Sequence, residues 1–130
     1  IDGTLAKMNG RSPFDYSKVG EDLPVQVVID VYHNLEQSGV YDMFIVSGRP
    51  DSCRKETEEW LYNHDIHYKH LYMRKTNDIR SDEIIKKEIY EEHIKNTQFV
   101  VGVFDDRPRI IRMWRAEGIP VFDVAQSEEF

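Results

Sequence analysis

Ile1-Asp2-Gly3-Thr4-Leu5 places a carboxylate, a turn-forming glycine and a hydroxyl in succession. Alone, Asp2-Gly3 reads as a simple turn. Three further clusters, met in order along the chain, change that reading. The apolar run Met43 to Val46 ends in Ser47-Gly48-Arg49, Asp82 and Lys86 stand four residues apart on a helical pattern, and the run Phe99 to Phe104 ends in Asp105-Asp106. A continuous short apolar run is the mark of a strand buried on both faces. In open parallel α/β sheets ligands bind beyond the carboxyl ends of strands, and two of the four clusters follow such runs.

Between the runs the spacing is helical. Val25, Val28, Ile29, Tyr32 and Leu35 recur on one stripe, and Gly39 supplies a stop. A second helix is predicted from about Pro50 to Asn63 with Trp60 and Leu61 on its apolar side, then a short strand from His70 to Met73. Ser81 is placed to cap a third helix carrying Ile84, Ile85, Ile89 and Ile94. Asp106 followed by Pro108 suits a further helix start, running through Ile110, Ile111 and Trp114 to Gly118, and Val121 to Val124 gives a last strand. Alternating strands and helices imply right-handed βαβ units, so the fold expected is α/β, a three-layer Rossmann-like parallel sheet.

At 130 residues the chain suits one domain. No apolar window approaches the length of a membrane span, which makes a soluble, cytoplasmic protein without a membrane partner the expectation. Cys53 is the lone cysteine, so no internal disulfide forms, and Glu59 stands six positions on, where a thiol phosphatase needs arginine. The net charge of −7 argues against broad coating of nucleic acid, which depends on many Lys and Arg contacts to phosphate. Gripping one terminal phosphate remains open to it. Much of the acid falls on helix faces (Glu56, Glu58, Glu59, Glu88, Glu91, Glu92), whereas Arg11, Arg49, Arg54, Arg74, Lys75, Arg80 and Lys86 accompany the clusters. His64, His67 and His70 straddle a helix end, a loop and a strand start, and read as surface histidines rather than a metal site.

The order of the clusters resembles the haloacid dehalogenase (HAD) superfamily of aspartate-nucleophile phosphatases, with Ile1 to Leu5 as the tail of a D-x-D-G-T-L motif. Lys7 to Pro13, Asp105-Asp106-Arg107 and Met113-Trp114-Arg115 look more narrowly like the phosphatase domain of phage-type polynucleotide kinase-phosphatases, and the resemblance runs through nearly the whole chain. It implies one HAD-like domain over residues 1–130. It also implies that the nucleophilic aspartate and the central strand leading to it precede Ile1, so that the polypeptide continues upstream. Without that aspartate the chain would be catalytically dead.

The resemblance assigns roles as follows. Asp2 is the general acid and base, and its backbone carbonyl joins Asp105, Asp106 and the upstream aspartate around Mg²⁺; two adjacent carboxylates repel, and a bound cation explains their cost. Asp106 alternatively caps the next helix, with Arg107 balancing charge. Thr4, Ser47, Gly48 and Lys86 supply donors and positive charge to the phosphate, and Asp82, one turn before Lys86, orients its ammonium. Arg11 and Arg49 are assigned to the substrate phosphate, which a guanidinium fork fits in bidentate fashion.

Many HAD phosphatases cover small substrates with a cap inserted after the first motif or before the lysine helix. Lys7 to Leu23 allows only a short flap and Arg74 to Arg80 only a loop, so no large cap is expected and an open site could admit the end of a polymer. Arg74, Lys75 and Arg80 would edge its mouth. The expected activity is Mg²⁺-dependent removal of 3′-phosphate, and by extension 2′,3′-cyclic phosphate, from nucleic-acid ends through an aspartyl-phosphate. The alternatives are a small-molecule or nucleotide phosphatase and a noncatalytic module that binds phosphate ends. No G-x-x-x-x-G-K-[ST] loop is present, so a 5′-kinase would be a fused or separate domain.

Overall fold

Three backbone N–H groups, of Thr4, Leu5 and Ala6, converge on the Ile1 carbonyl at 3.0, 2.9 and 3.1 Å. The turn needs Gly3 at φ 76°, where a side chain would be strained. This turn opens the computed structural model, which describes residues 1–125. The chain divides into two compact units, Ile1–Asp78 and the part from Ile79 on.

In the first unit the turn leads into β1 (Ala6–Lys7), which pairs antiparallel with β2 (Leu23–Pro24). The flap between them carries a 3₁₀ turn, Tyr16–Glu21. Helix α1 (Gln26–Gln37) follows and buries Ile29 and Tyr32, the predicted stripe, before ending at Gly39 with φ 70°. Strand β3 (Phe44–Pro50) runs parallel to β4 (His70–Arg74), with Ile45 opposite Leu71 and Ser47 opposite Met73. A 3₁₀ turn, Asp51–Cys53, and α2 (Arg54–Asn63) connect them. The core gathers Ile1, Leu5, Ala6, Ile29, Tyr32, Ile45, Trp60, Leu61, Ile66 and Leu71. Fully burying a Leu or Ile contributes about 1.5–3 kcal/mol.

Strand β3 is longer than predicted and alternates along its length. Ile45, Ser47 and Arg49 are buried, and the residues between them are half-buried. Its pairing with β4 slips after Ser47, the next partner of Arg74 being Pro50. Such a bulge re-aims side chains, and here it leaves Arg49 turned into the protein at 1% exposure.

In the second unit, α3 (Asp82–Ile89) runs on into a π-helical turn, Tyr90–Ile94. β5 (Val103–Asp105) pairs parallel with β6 (Val121–Asp123), and α4 (Pro108–Ala116) lies between them in sequence. The apolar run from Phe99 forms a strand only in its last part. Phe99 is 91% exposed and Val101 55%, because the strand that β5 does pair with reaches back only to Val121. Proline opens α4 as predicted, but the residue at its N-cap is Arg107, with no side-chain cap, so Asp106 stands outside that role.

The architecture is thus α/β with parallel pairs, in small two-stranded sheets. Among the described residues no regular element lies between β4 and α3, and the flap holds only its 3₁₀ turn. No described helix is long and apolar enough to cross a membrane.

Candidate active site

The first unit buries four charged side chains together. The Arg49 guanidinium donates to Asp2 from Nε and Nη2 at 3.0 and 2.8 Å, to Asp22 from Nη2 at 3.0 Å and to the Thr57 hydroxyl from Nη1 at 3.1 Å. Arg11 donates to Asp22 from Nε and Nη2 at 2.7 and 2.9 Å, and to Asp2 from Nη2 at 3.1 Å. Its Nη1 lies 3.3 and 3.5 Å from the carbonyls of Ser12 and Pro13. Two cations therefore face two anions, with the side chains of Arg11, Asp22 and Arg49 at most 2% exposed and that of Asp2 29%.

Each part has a local cause. The Gly3 turn holds Asp2 at the rim, the β3 bulge aims Arg49, the flap carries Arg11 and Asp22, and α2 brings Thr57. Trp60, also on α2, donates its indole N–H to the Asp22 carbonyl at 2.8 Å and so pins the end of the flap. Burial alone would raise the Asp2 carboxyl. The hydrogen bond and charge of Arg49, with the charge of Arg11, instead hold it at about 2. Asp2 is thus ionised in this state.

Ser47, 2% exposed, accepts the Arg49 backbone N–H at 3.2 Å, which leaves its own hydroxyl proton to give. Thr4 is buried beside it in the sequence-predicted set, at 7%. The Gly48 carbonyl accepts from Arg74 Nε at 2.8 Å, and Arg74 Nη1 bonds the Asp78 carbonyl at 2.8 Å. Arg74 therefore clips the loop after β4 to the bulged end of β3. Thr76 fastens that loop to the 3₁₀ turn after β3, its N–H lying 3.0 Å from the Asp51 carboxylate.

The second unit holds the other predicted residues. Lys86 Nζ lies 3.1 Å from Asp105 Oδ2, the Asp106 N–H donates to Asp105 Oδ1 at 2.9 Å, and the Trp114 indole N–H reaches Oδ2 at 3.4 Å. Asp82 pairs with Arg107, so the carboxylate that the structure sets against the Lys86 ammonium is Asp105. Arg80 pairs with Glu88. Burial disfavours the Asp105 carboxylate, but the charge of Lys86 and the Asp106 N–H outweigh it and lower its pKa. The Asp106 carboxyl is raised, by burial and then by the charge of Asp105.

A half-buried carboxylate such as Asp106, pushed toward protonation by its neighbour, is what a divalent cation relieves, and two hard oxygen donors suit Mg²⁺. The described residues contain no group of three or more His, Cys, Asp or Glu side chains fit to hold a metal. His64 faces the Trp60 carbonyl through Nδ1 at 2.8 Å. Cys53 is buried, and burial pushes its thiol up, away from the reactive thiolate.

The family model for the polynucleotide kinase PNKP phosphatase domain matches residues 1–130. The chain belongs to this family of HAD phosphatase domains. A protein of Autographa californica nuclear polyhedrosis virus described as “Putative bifunctional polynucleotide kinase/RNA ligase” is 34% identical to this HAD domain over 132 residues, covering 98% of the chain and 19% of the viral protein. Two solved structures of a Pnkp1/Rnl/Hen1 complex, one described as an RNA repair complex, contain a chain 40% identical to it, each with a TM-score of 0.92. They cover 99% of this domain and 42% and 45% of those chains. The domain thus spans less than half the length of each of these relatives.

Three contributors to this PNKP-type domain escaped the sequence reading. Asp22 and Thr57 carry no motif, and only the rule that buried guanidinium groups need acceptors points toward such residues. Trp114, which shares a helical pattern with Ile110 and Ile111, is buried, packs edge-on against Tyr90 at 5.6 Å, and has a polar end at Asp105 as well.

Proposed function

We propose that this domain is a Mg²⁺-dependent phosphatase that removes 3′-phosphate, and by extension 2′,3′-cyclic phosphate, from nucleic-acid ends. The observation that carries the reading is the buried cluster of Arg49 and Arg11 upon Asp2, which joins a proton-transfer carboxylate to groups that bind phosphate. The membership of the PNKP phosphatase family supports the chemistry, and the relatives described as a polynucleotide kinase/RNA ligase and an RNA repair complex support RNA ends as the substrate.

The reading takes the nucleophile to be an aspartate immediately before Ile1, ending a central strand of a three-layer sheet, and takes both units to serve one domain. A carboxylate oxygen attacks phosphorus and the ester P–O bond breaks. The leaving hydroxyl oxygen takes its proton from Asp2, which later receives a proton from the water that cleaves the aspartyl-phosphate. Because resting Asp2 is ionised, its acid form arises in the substrate complex: a phosphate dianion that draws the Arg49 guanidinium toward itself removes the charge that depresses Asp2.

Ser47 and Thr4 donate to the phosphate oxygens, with the Gly48 backbone beside them. Lys86 adds positive charge beside Asp105, and Asp82 keeps Arg107 in place. Asp105 and Asp106 would hold Mg²⁺, which when bound neutralises charge on the transferring phosphoryl group. A neighbouring 5′-kinase, fused or separate, in the cytoplasm completes the reading.

The test is phosphate release from a 3′-phosphorylated oligonucleotide, a 3′-mononucleotide and a sugar phosphate under one set of conditions. The reading expects the oligonucleotide to be preferred. Equal or better rates on the small esters would make the domain a general phosphatase instead.

A further inference from the structure

Counting donors separates the two arginines. Arginine carries five N–H groups in a fixed fork. In Arg11 all five are engaged: Nε on Asp22, Nη2 on Asp22 and Asp2, and Nη1 on the carbonyls of Ser12 and Pro13. In Arg49 four are engaged, by Asp2 twice, by Asp22 and by Thr57, and one N–H on Nη1 has no acceptor among the described residues. Asp22 joins the two arginines. Its carboxylate, with no exposed side-chain surface, accepts three of these N–H groups at 2.7 to 3.0 Å, and Trp60 fixes its backbone.

We propose that Asp22 is a positioning residue for phosphate binding: it locks Arg11 as a strut of the flap, and orients Arg49 so that a single Nη1 N–H remains for substrate. Asp22 also cancels one of the two arginine charges. The other is balanced by Asp2, so the resting cluster is neutral, and a phosphate dianion must compete with Asp2 for Arg49. The charge balance thus couples phosphate arrival to release of the proton-transfer carboxylate. This deepens the phosphatase reading and rests on it for the identity of the ligand.

Asp22→Asn tests the proposal, since it keeps the volume and one acceptor oxygen, removes the charge and replaces the second acceptor oxygen with an amide donor. Arg49 stays held by Asp2 and Thr57, and Arg11 by two carbonyls and Asp2. The variant cluster has an extra positive charge. Inorganic phosphate, measured by calorimetry on the protein with its upstream residues, is then expected to bind about threefold or more tightly. Turnover of a 3′-phosphorylated oligonucleotide is expected to fall about tenfold or more, because Asp2 is gripped harder. Phosphate affinity and turnover falling together, in proportion to a lower melting temperature, would reduce Asp22 to a structural role and overturn the proposal.

A second readout does not depend on activity. In ¹⁵N NMR spectra the Nε–H signals of Arg11 and Arg49 are expected to be protected from exchange in the wild type, and the Arg11 signal, whose acceptor is Asp22, is expected to lose protection on Asp22→Asn. Unchanged protection overturns the positioning role even if the wild type hydrolyses no ester. A wild type with protected signals and no turnover sinks the phosphatase reading alone.

Discussion

Replacing Arg49 with methionine removes three hydrogen bonds to carboxylates, at 2.8 to 3.0 Å, and one to Thr57 at 3.1 Å. Methionine fills much of the space, so the loss is one of charge and hydrogen bonding rather than volume. Asp22 retains two bonds from Arg11, but Asp2 retains only one, and both carboxylates share a single cation. Breaking a buried ion pair by removing one partner costs about 3–5 kcal/mol, and the Thr57 hydroxyl, left with only the Cys53 thiol at 3.7 Å, adds about 1 kcal/mol. A domain of this size loses about 3–5 °C per kcal/mol, so the melting temperature should fall by about 12–30 °C. The control is Lys69→Met, whose partner Asp42 and own side chain are half exposed or more, where the expected loss is below about 1 kcal/mol. Arg49→Lys keeps the charge without the fork and should lie between, at on the order of 2 kcal/mol. Thermal melts by circular dichroism at pH 7 decide the matter. An Arg49→Met melt within about 3 °C of the Lys69→Met melt would refute the buried cluster as an energetic unit.

Three further outcomes are expected. The Asp2 carboxyl is lowered from 3.8 to about 2 in the folded protein, so it stabilises the fold above the unfolded value, and this stability is lost as pH falls from about 4 to about 2. Urea unfolding at pH 5 and pH 2.5 should show about 2 kcal/mol less pH dependence in Asp2→Asn than in the wild type; equal dependence would mean that the arginines do not hold Asp2. Trp114→Phe deletes one N–H and keeps the ring against Tyr90. It should raise the Mg²⁺ concentration for half-maximal turnover by about tenfold, the lower end for a residue that orients a metal ligand, and an unchanged requirement would leave Trp114 a packing residue. Lys86→Met removes the cation at 3.1 Å from Asp105 and should lower turnover by about 100-fold; a loss below about threefold would remove Lys86 from the phosphate chemistry.

Elements with a strong internal period were legible in the sequence. The α1 stripe of Ile29 and Tyr32, the β3 and β4 strands and the proline-opened α4 follow from spacing alone, because each buries a face that its own residues define. The Phe99 run was overread: apolar character does not say whether a pairing strand reaches that far, and Phe99 is left exposed. At the site, motifs placed Asp2, Arg11, Ser47, Arg49, Lys86 and Asp105 among the half-buried or buried residues. They did not say which charge would meet which. Lys86 is set against Asp105, Asp82 takes Arg107, Arg74 bonds the Asp78 carbonyl, and Arg80 pairs with Glu88. Such pairings depend on helix phase and on the β3 bulge, which no short spacing encodes. Asp22 was hidden for the same reason, since a single acid in a flap has no period and gains its role only when two guanidinium groups are buried around it.

The most direct measurement is phosphate release from a 3′-phosphorylated oligoribonucleotide by the protein carrying the residues before Ile1, with Mg²⁺ and with EDTA in its place. The account predicts release with Mg²⁺, none with EDTA, and none from Asp2→Asn in either condition. Release that is indifferent to Mg²⁺, or an Asp2→Asn protein that keeps the wild-type rate, would contradict it.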